Sequence, residues 1–198
     1  MITKSELRRQ LVHAATAIIP LLYYFFPDIE PFTGKQCVNI MFIVFGGLFV
    51  FADYFRRYNV FIKKVFLFFT APFIRDTEES KMTAASRIAI VFFLIFQIFP
   101  MKIAVPACLL LSVADSASGL FGRMWGKKTW FKHFTYVGTA AFVIAGSLLY
   151  IFAFSYIGIW KSVLVVVMCA LFEGIMSHFD DNVVIPIAAA VMLMMLEV

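Results

Sequence analysis

The apolar positions of this chain run in long blocks rather than in the narrow stripes of a soluble helix. A helix rises about 1.5 Å per residue and the hydrocarbon core is about 30 Å thick, so about 20 apolar residues are needed to cross. Seven segments approach that length: residues 5–26, 37–55, 84–99, 101–121, 134–157, 162–177 and 183–198. The third, sixth and seventh are short, and the last must borrow from residues 180–182 or cross a thinned region. Pro100 divides the third from the fourth and predicts a tight helical hairpin. The first block follows a basic start, as a signal peptide would, but Pro20 and Pro27-Asp28 interrupt it and no small-x-small site follows. It reads as a retained span.

Residues 59–73 have a different pattern. Val60, Phe61, Val65, Phe66, Leu67, Phe68 and Phe69 surround Lys63-Lys64, which predicts an amphipathic helix on the membrane surface. No polar linker and no internal repeat divides the chain, so residues 1–198 read as one domain. The expected fold is all-α: a polytopic integral membrane helix bundle of about seven transmembrane helices plus one cytoplasmic interfacial helix.

Composition agrees. Of 198 residues, 63% are hydrophobic, 25 are Phe and only 15% of the chain is charged. Soluble domains are about 45–50% apolar and about 25% charged, and one of this size could not hide so much apolar surface. A disordered chain, a nucleic-acid-binding tail and an ordinary soluble enzyme are excluded. Cys37, Cys108 and Cys169 lie far apart and suggest neither disulfides nor zinc.

The net charge of +5 resolves into a topology. With a cytoplasmic N-terminus and seven spans, 14 of the 17 Lys and Arg fall inside and only Lys35, Lys102 and Lys161 outside. That asymmetry fits the positive-inside rule and puts the C-terminus on the opposite side. Arg56-Arg57, at the end of the second span, read as topology anchors.

An ionisable residue inside a bilayer is a functional candidate. Asp115 lies six residues, roughly 9 Å, from the expected inner end of the fourth span, amid Ala114, Ser116, Ala117, Ser118 and Gly119. Three glycines then fall at Gly119, Gly122 and Gly126, with Arg123, Lys127 and Lys128. Backbone N–H groups freed by glycine, plus cations, suit phosphate; the spacing is not that of a P-loop. A carboxylate just before a phosphate cradle suits Mg²⁺ and phosphoryl transfer. Glu173, Asp180 and Asp181, followed by Asn182, form a second acidic group on the same side, able to hold a divalent cation or act as a base; Asp180 or Asp181 also suits a helix cap. Arg9 and His13 share a helix face, one turn after Glu6.

These blocks together resemble the CTP-dependent membrane lipid kinases: dolichol, phytol and farnesol kinases and the yeast-type diacylglycerol kinase, distantly similar to phosphatidate cytidylyltransferase. The likeness rests on Glu6-x-x-Arg9-x-x-x-His13, on Asp115-x-x-Ser118-x-x-x-Gly122-Arg123-x-x-Gly126-Lys127, and on Glu173 followed by Asp180-Asp181-Asn182-x-x-x-Pro186. The chain departs from the family at Gln10, where Lys is common, and at Phe134 and Val137, which replace the Lys and Glu of a K-S-x-E-G-S block; Lys132-His133 stand nearby as substitutes.

The resemblance implies transfer of the γ-phosphoryl group of CTP to a lipid alcohol, a polyprenol, phytol-like alcohol or diacylglycerol, at the cytoplasmic face. It implies Asp115 and Asp181 as ligands of Mg²⁺ or another divalent cation, with Glu173 and Asp180 as support or base. Ser118, Gly119, Gly122, Arg123, Gly126, Lys127, Lys128 and Asn182 would bind nucleotide, while Arg9 and His13 orient phosphate or the acceptor hydroxyl. The expected partners are a membrane lipid and a nucleotide, with no nucleic acid. A cytidylyltransferase is the rival enzyme, although His178-Phe179-Asp180 lacks its usual His-Gly-Gly stretch. A small transporter, or a membrane protein without catalysis, is the rival outside enzymes.

Overall fold

A computed structural model describes residues 4–74, 81–131, 134–176 and 178–198. Among them the chain forms nine longer helices, two single-turn 3-10 helices (Ala71–Phe73 and Ser155–Ile157) and one small hairpin. The longer helices are α1 (Lys4–Ala15), α2 (Ile18–Phe25), α3 (Gly34–Phe55), α4 (Val60–Thr70), α5 (Ala84–Ile98), α6 (Met101–Trp125), α7 (Tyr136–Ala153), α8 (Ile159–Ile175) and α9 (Asp181–Met195). The hairpin pairs β1 (Thr129–Phe131) with β2 (Phe134–Thr135). The all-α bundle expected from the sequence is therefore present. Three helices, α3, α6 and α7, are long and apolar enough to cross a membrane, while α5 and α9 are shorter apolar helices.

Local chemistry sets the boundaries. Pro20 has no N–H to give Thr16; the Ile19 N–H bonds the Thr16 carbonyl instead at 3.1 Å, so the first apolar block folds as two helices. Thr33 and Gln36 cap α3 reciprocally. The Asn59 Oδ1 accepts from the N–H groups of Phe61 and Ile62 at 2.9 and 3.2 Å, which starts α4. Thr83, Thr135 and Asp180 cap α5, α7 and α9. Gly158 turns the chain into α8 at φ 82°, a conformation open to glycine without strain.

The long helix α6 is the centre of the bundle. Residues 103–112 are buried without a break, because α2, α5, α7 and α9 all pack against α6. Helices α3 and α7 instead turn most of their surface outward: 67% of the most apolar stretch of α6 is buried, against 11% in α3 and 22% in α7. Large apolar side chains such as Phe45, Leu48, Ile144 and Phe152 are exposed along those outer faces. Such a surface suits hydrocarbon better than water.

Candidate functional site

The C-terminal half of α6, the first turns of α5, α7 and α9, the last turn of α8 and the middle of α1 enclose a cavity of about 500 Å³. All three sequence blocks reach it. Of the expected site residues, Arg9, His13, Asp115, Ser118, Gly119, Gly122, Arg123, Glu173, Asp180, Asp181 and Asn182 line it.

The acidic groups come from three helices. Asp115 closes a widened helical turn, Leu111–Asp115, inside α6; such turns recur at functional sites because they re-aim a side chain. Its Oδ2 lies 2.8 Å from the His13 Nε2. Glu173 sits on the last turns of α8, only 5% exposed. No hydrogen bond or ion pair holds its carboxylate among the described residues, and the negative charges of Asp115 and Asp181 act on it. Asp180 is the cap of α9. It accepts from the Asn182 N–H and Nδ2 at 3.0 and 2.6 Å, and the Arg87 Nε lies 2.9 Å from its second oxygen.

The basic groups sit on other walls. Glu6 draws Arg9 and Arg123 together by ion pairs with both, and the Gln10 Nε2 donates to the same oxygen at 3.2 Å. The first turns of α5, α7 and α9 all line the cavity, so three positive helix ends converge there.

The glycine stretch is corrected in its physical role. The apolar pattern predicts a helix end at residue 121, but the helix continues through Gly122 to Trp125, so the N–H groups of this stretch serve the helix. Its glycines make room instead. A Cβ on Gly119 would meet the Gln10 amide of α1, and one on Gly122 would lie 3.0 Å from the Thr135 Oγ1 and 3.2 Å from the Gly138 Cα. Gly126, Lys127 and Lys128 are not among the cavity-lining residues, and both lysines are exposed. Phe134, Thr135, Gly138 and Thr139 do line it; Lys132 and His133, expected as substitutes, lie outside the described residues.

Several residues were not anticipated. Arg87 and Gln10 line the cavity, and Trp130 fastens the hairpin beside it. The Trp130 Nε1 donates to the Thr139 Oγ1 at 2.7 Å and its ring rests on Gly174. A lone Arg in a helix's first turn and a lone Trp in a short connector give no signal in sequence.

Chemically, the site offers oxygen donors and guanidinium groups in one space. Among the described residues, no three His, Cys, Asp or Glu side chains form a metal-holding group by themselves. Mg²⁺ does not require one, since it takes one or two carboxylates and completes its shell with water and substrate phosphate. Among the described residues, a buried Glu173 with no cationic partner and two acidic neighbours fits a divalent cation. No family model, curated protein or solved structure significantly matches the chain.

Proposed function

We propose that the protein is an integral-membrane lipid kinase that transfers the γ-phosphoryl group of CTP to the hydroxyl of a lipid alcohol. The observation that carries this reading is the cavity itself: Asp115, Glu173, Asp180 and Asp181 share one space with Arg9 and Arg123 at one end of an apolar bundle. Carboxylates and guanidinium groups together suit a polyphosphate and its counter-cation.

In this reading the bundle crosses the membrane about seven times, with the cavity and N-terminus at the cytoplasmic face and α4 on the surface. The lipid hydroxyl waits at headgroup level and the nucleotide arrives from the cytoplasm. Arg9, Arg123, Ser118 and Asn182 hold phosphate, and His13 helps orient the hydroxyl. A divalent cation held by Asp115 and Asp181 would neutralise phosphate charge. The acceptor oxygen bonds to the γ-phosphorus, the bond to the β-phosphate oxygen breaks, and the hydroxyl proton passes to Glu173 or Asp180 as base. Catalysis is then positioning and charge neutralisation.

The test uses the purified chain in detergent with Mg²⁺, γ-labelled CTP or ATP and a panel of lipid alcohols. Labelled lipid is expected, reduced about 10²-fold or more in Asp115→Asn. Transfer from α-labelled CTP to phosphatidate, with pyrophosphate release, would instead identify a cytidylyltransferase. Absence of transfer with every nucleotide and acceptor would remove the enzyme reading.

A further inference from the structure

We propose that Arg87 is a phosphate-binding residue of the cavity, held in place by a buried bracket of Asp53, Arg56 and Thr83. This deepens the phosphoryl-transfer reading and rests on it.

Arg87 sits one turn into α5, and its side chain lines the cavity while meeting Asp180 at 2.9 Å. The pair is not needed to join α5 to α9, which pack closely through other residues, and a partly exposed ion pair contributes little to stability. A guanidinium at this place is better explained by what enters the cavity. Its planar fork matches phosphate oxygens, and a helix N-terminus favours the same charge. Here both coincide, because Ala84 and Ala85 of the first turn also line the cavity and their small side chains leave the backbone approachable. Arg9 and Arg123 are gathered by Glu6 on the α1 and α6 side; Arg87 supplies the α5 side. Asp180 gives it a counter-charge when no phosphate is bound.

The bracket fixes where α5 begins. The Thr83 N–H and Oγ1 both donate to the Asp53 Oδ2, at 2.8 and 3.0 Å. The Arg56 Nε donates to the Asp53 Oδ1 at 2.6 Å, and its Nη2 to the Lys81 carbonyl at 2.8 Å. Thr83 then accepts from the Ser86 N–H through its hydroxyl and from the Arg87 N–H through its carbonyl. The backbone of Arg87 is thus bonded to the residue that the buried pair holds.

The test is binding, so it does not depend on turnover. The full chain in detergent with Mg²⁺ is titrated with CTP, with inorganic tripolyphosphate, and with phosphatidate in mixed micelles. Arg87→Gln is expected to weaken at least one of these about tenfold or more with the melting temperature unchanged. Loss for CTP and tripolyphosphate assigns Arg87 to the donor; loss for phosphatidate assigns it to a lipid phosphate. Thr83→Ala is expected to give part of that loss and Thr83→Ser to restore affinity; native affinity in a folded Thr83→Ala would overturn the role of the bracket. A folded Arg87→Gln that binds all three as the native chain does overturns the proposal, and it alone if the native chain transfers phosphoryl groups. A native chain that binds none of the three removes both this proposal and the functional reading. Should Arg87→Gln not fold, Arg87→Met decides, since it removes the charge and keeps an unbranched stem: unchanged affinity overturns the proposal.

Discussion

Arg56 carries its charge into the protein interior at 2% exposure, and Asp53 meets it there at 0%. The Phe66 ring lies 5.1 Å from its guanidinium. In the sequence Arg56 and Arg57 look alike, two cations ending an apolar run, and only Arg57 behaves as a surface anchor, exposed against Tyr54. What separates them is the partner three residues back, Asp53, one helical turn from Arg56 and on its face. Removing one member of a buried pair leaves an uncompensated charge and costs about 3–5 kcal/mol, whereas removing both together is far milder. Arg56→Leu is therefore expected to lower unfolding free energy in detergent by about that amount. Asp53→Leu with Arg56→Leu should recover part of the loss. Simple additivity of the two single changes would show that the pair is not the unit of stability.

Helices show a similar division between what the sequence exposes and what it hides. The apolar runs place α5 at Ala84 and the end of α3 at Phe55 because lipid-length hydrophobicity is a one-dimensional property. They stop α6 short, at residue 121 rather than Trp125, because glycines read as a loop when they are contact points between helices. Glycine in a sequence reports permission, and the neighbour decides its use. The site divides the same way: the blocks around His13, Asp115 and Glu173 are legible from spacing and charge, whereas Arg87 needs the packing of α5 on α9. Two glycines test this with opposite signs. A Cβ on Gly146 would lie 2.7 Å from the Leu110 Cδ1 and 2.8 Å from the Val166 Cγ1, where α7 meets α6 and α8. Gly146→Ala should destabilise by about 1–3 kcal/mol from overpacking, despite a helix-propensity gain of about 1 kcal/mol. Gly47 has nothing within 4 Å, so Gly47→Ala should stabilise by up to that propensity difference. Melting temperatures in one detergent compare them directly, and shifts of the same sign would refute the packing argument.

For the whole molecule, the question is which end faces the cytoplasm. The cavity end collects Arg9, Arg87 and Arg123, with exposed Lys127 and Lys128 beyond it. Lys35 and Lys102 stand at the starts of α3 and α6, and the Lys102 carbonyl accepts from the Tyr156 hydroxyl at 2.7 Å near the start of α8. The cytoplasmic cavity of the proposed function is the orientation that the positive-inside rule favours. Cysteine labelling measures this, because Cys108 and Cys169 are buried and only the half-buried Cys37 needs replacing by Ser. In that background, Lys35→Cys and Lys102→Cys should react with a membrane-impermeant maleimide in intact cells. Lys64→Cys and Lys127→Cys should react only in inverted vesicles. All four positions are exposed, so silence from one side reports the membrane and not burial. The reverse pattern would turn the cavity away from cytoplasmic CTP, and the nucleotide donor would be lost from the mechanism even if every residue of the cavity were placed correctly.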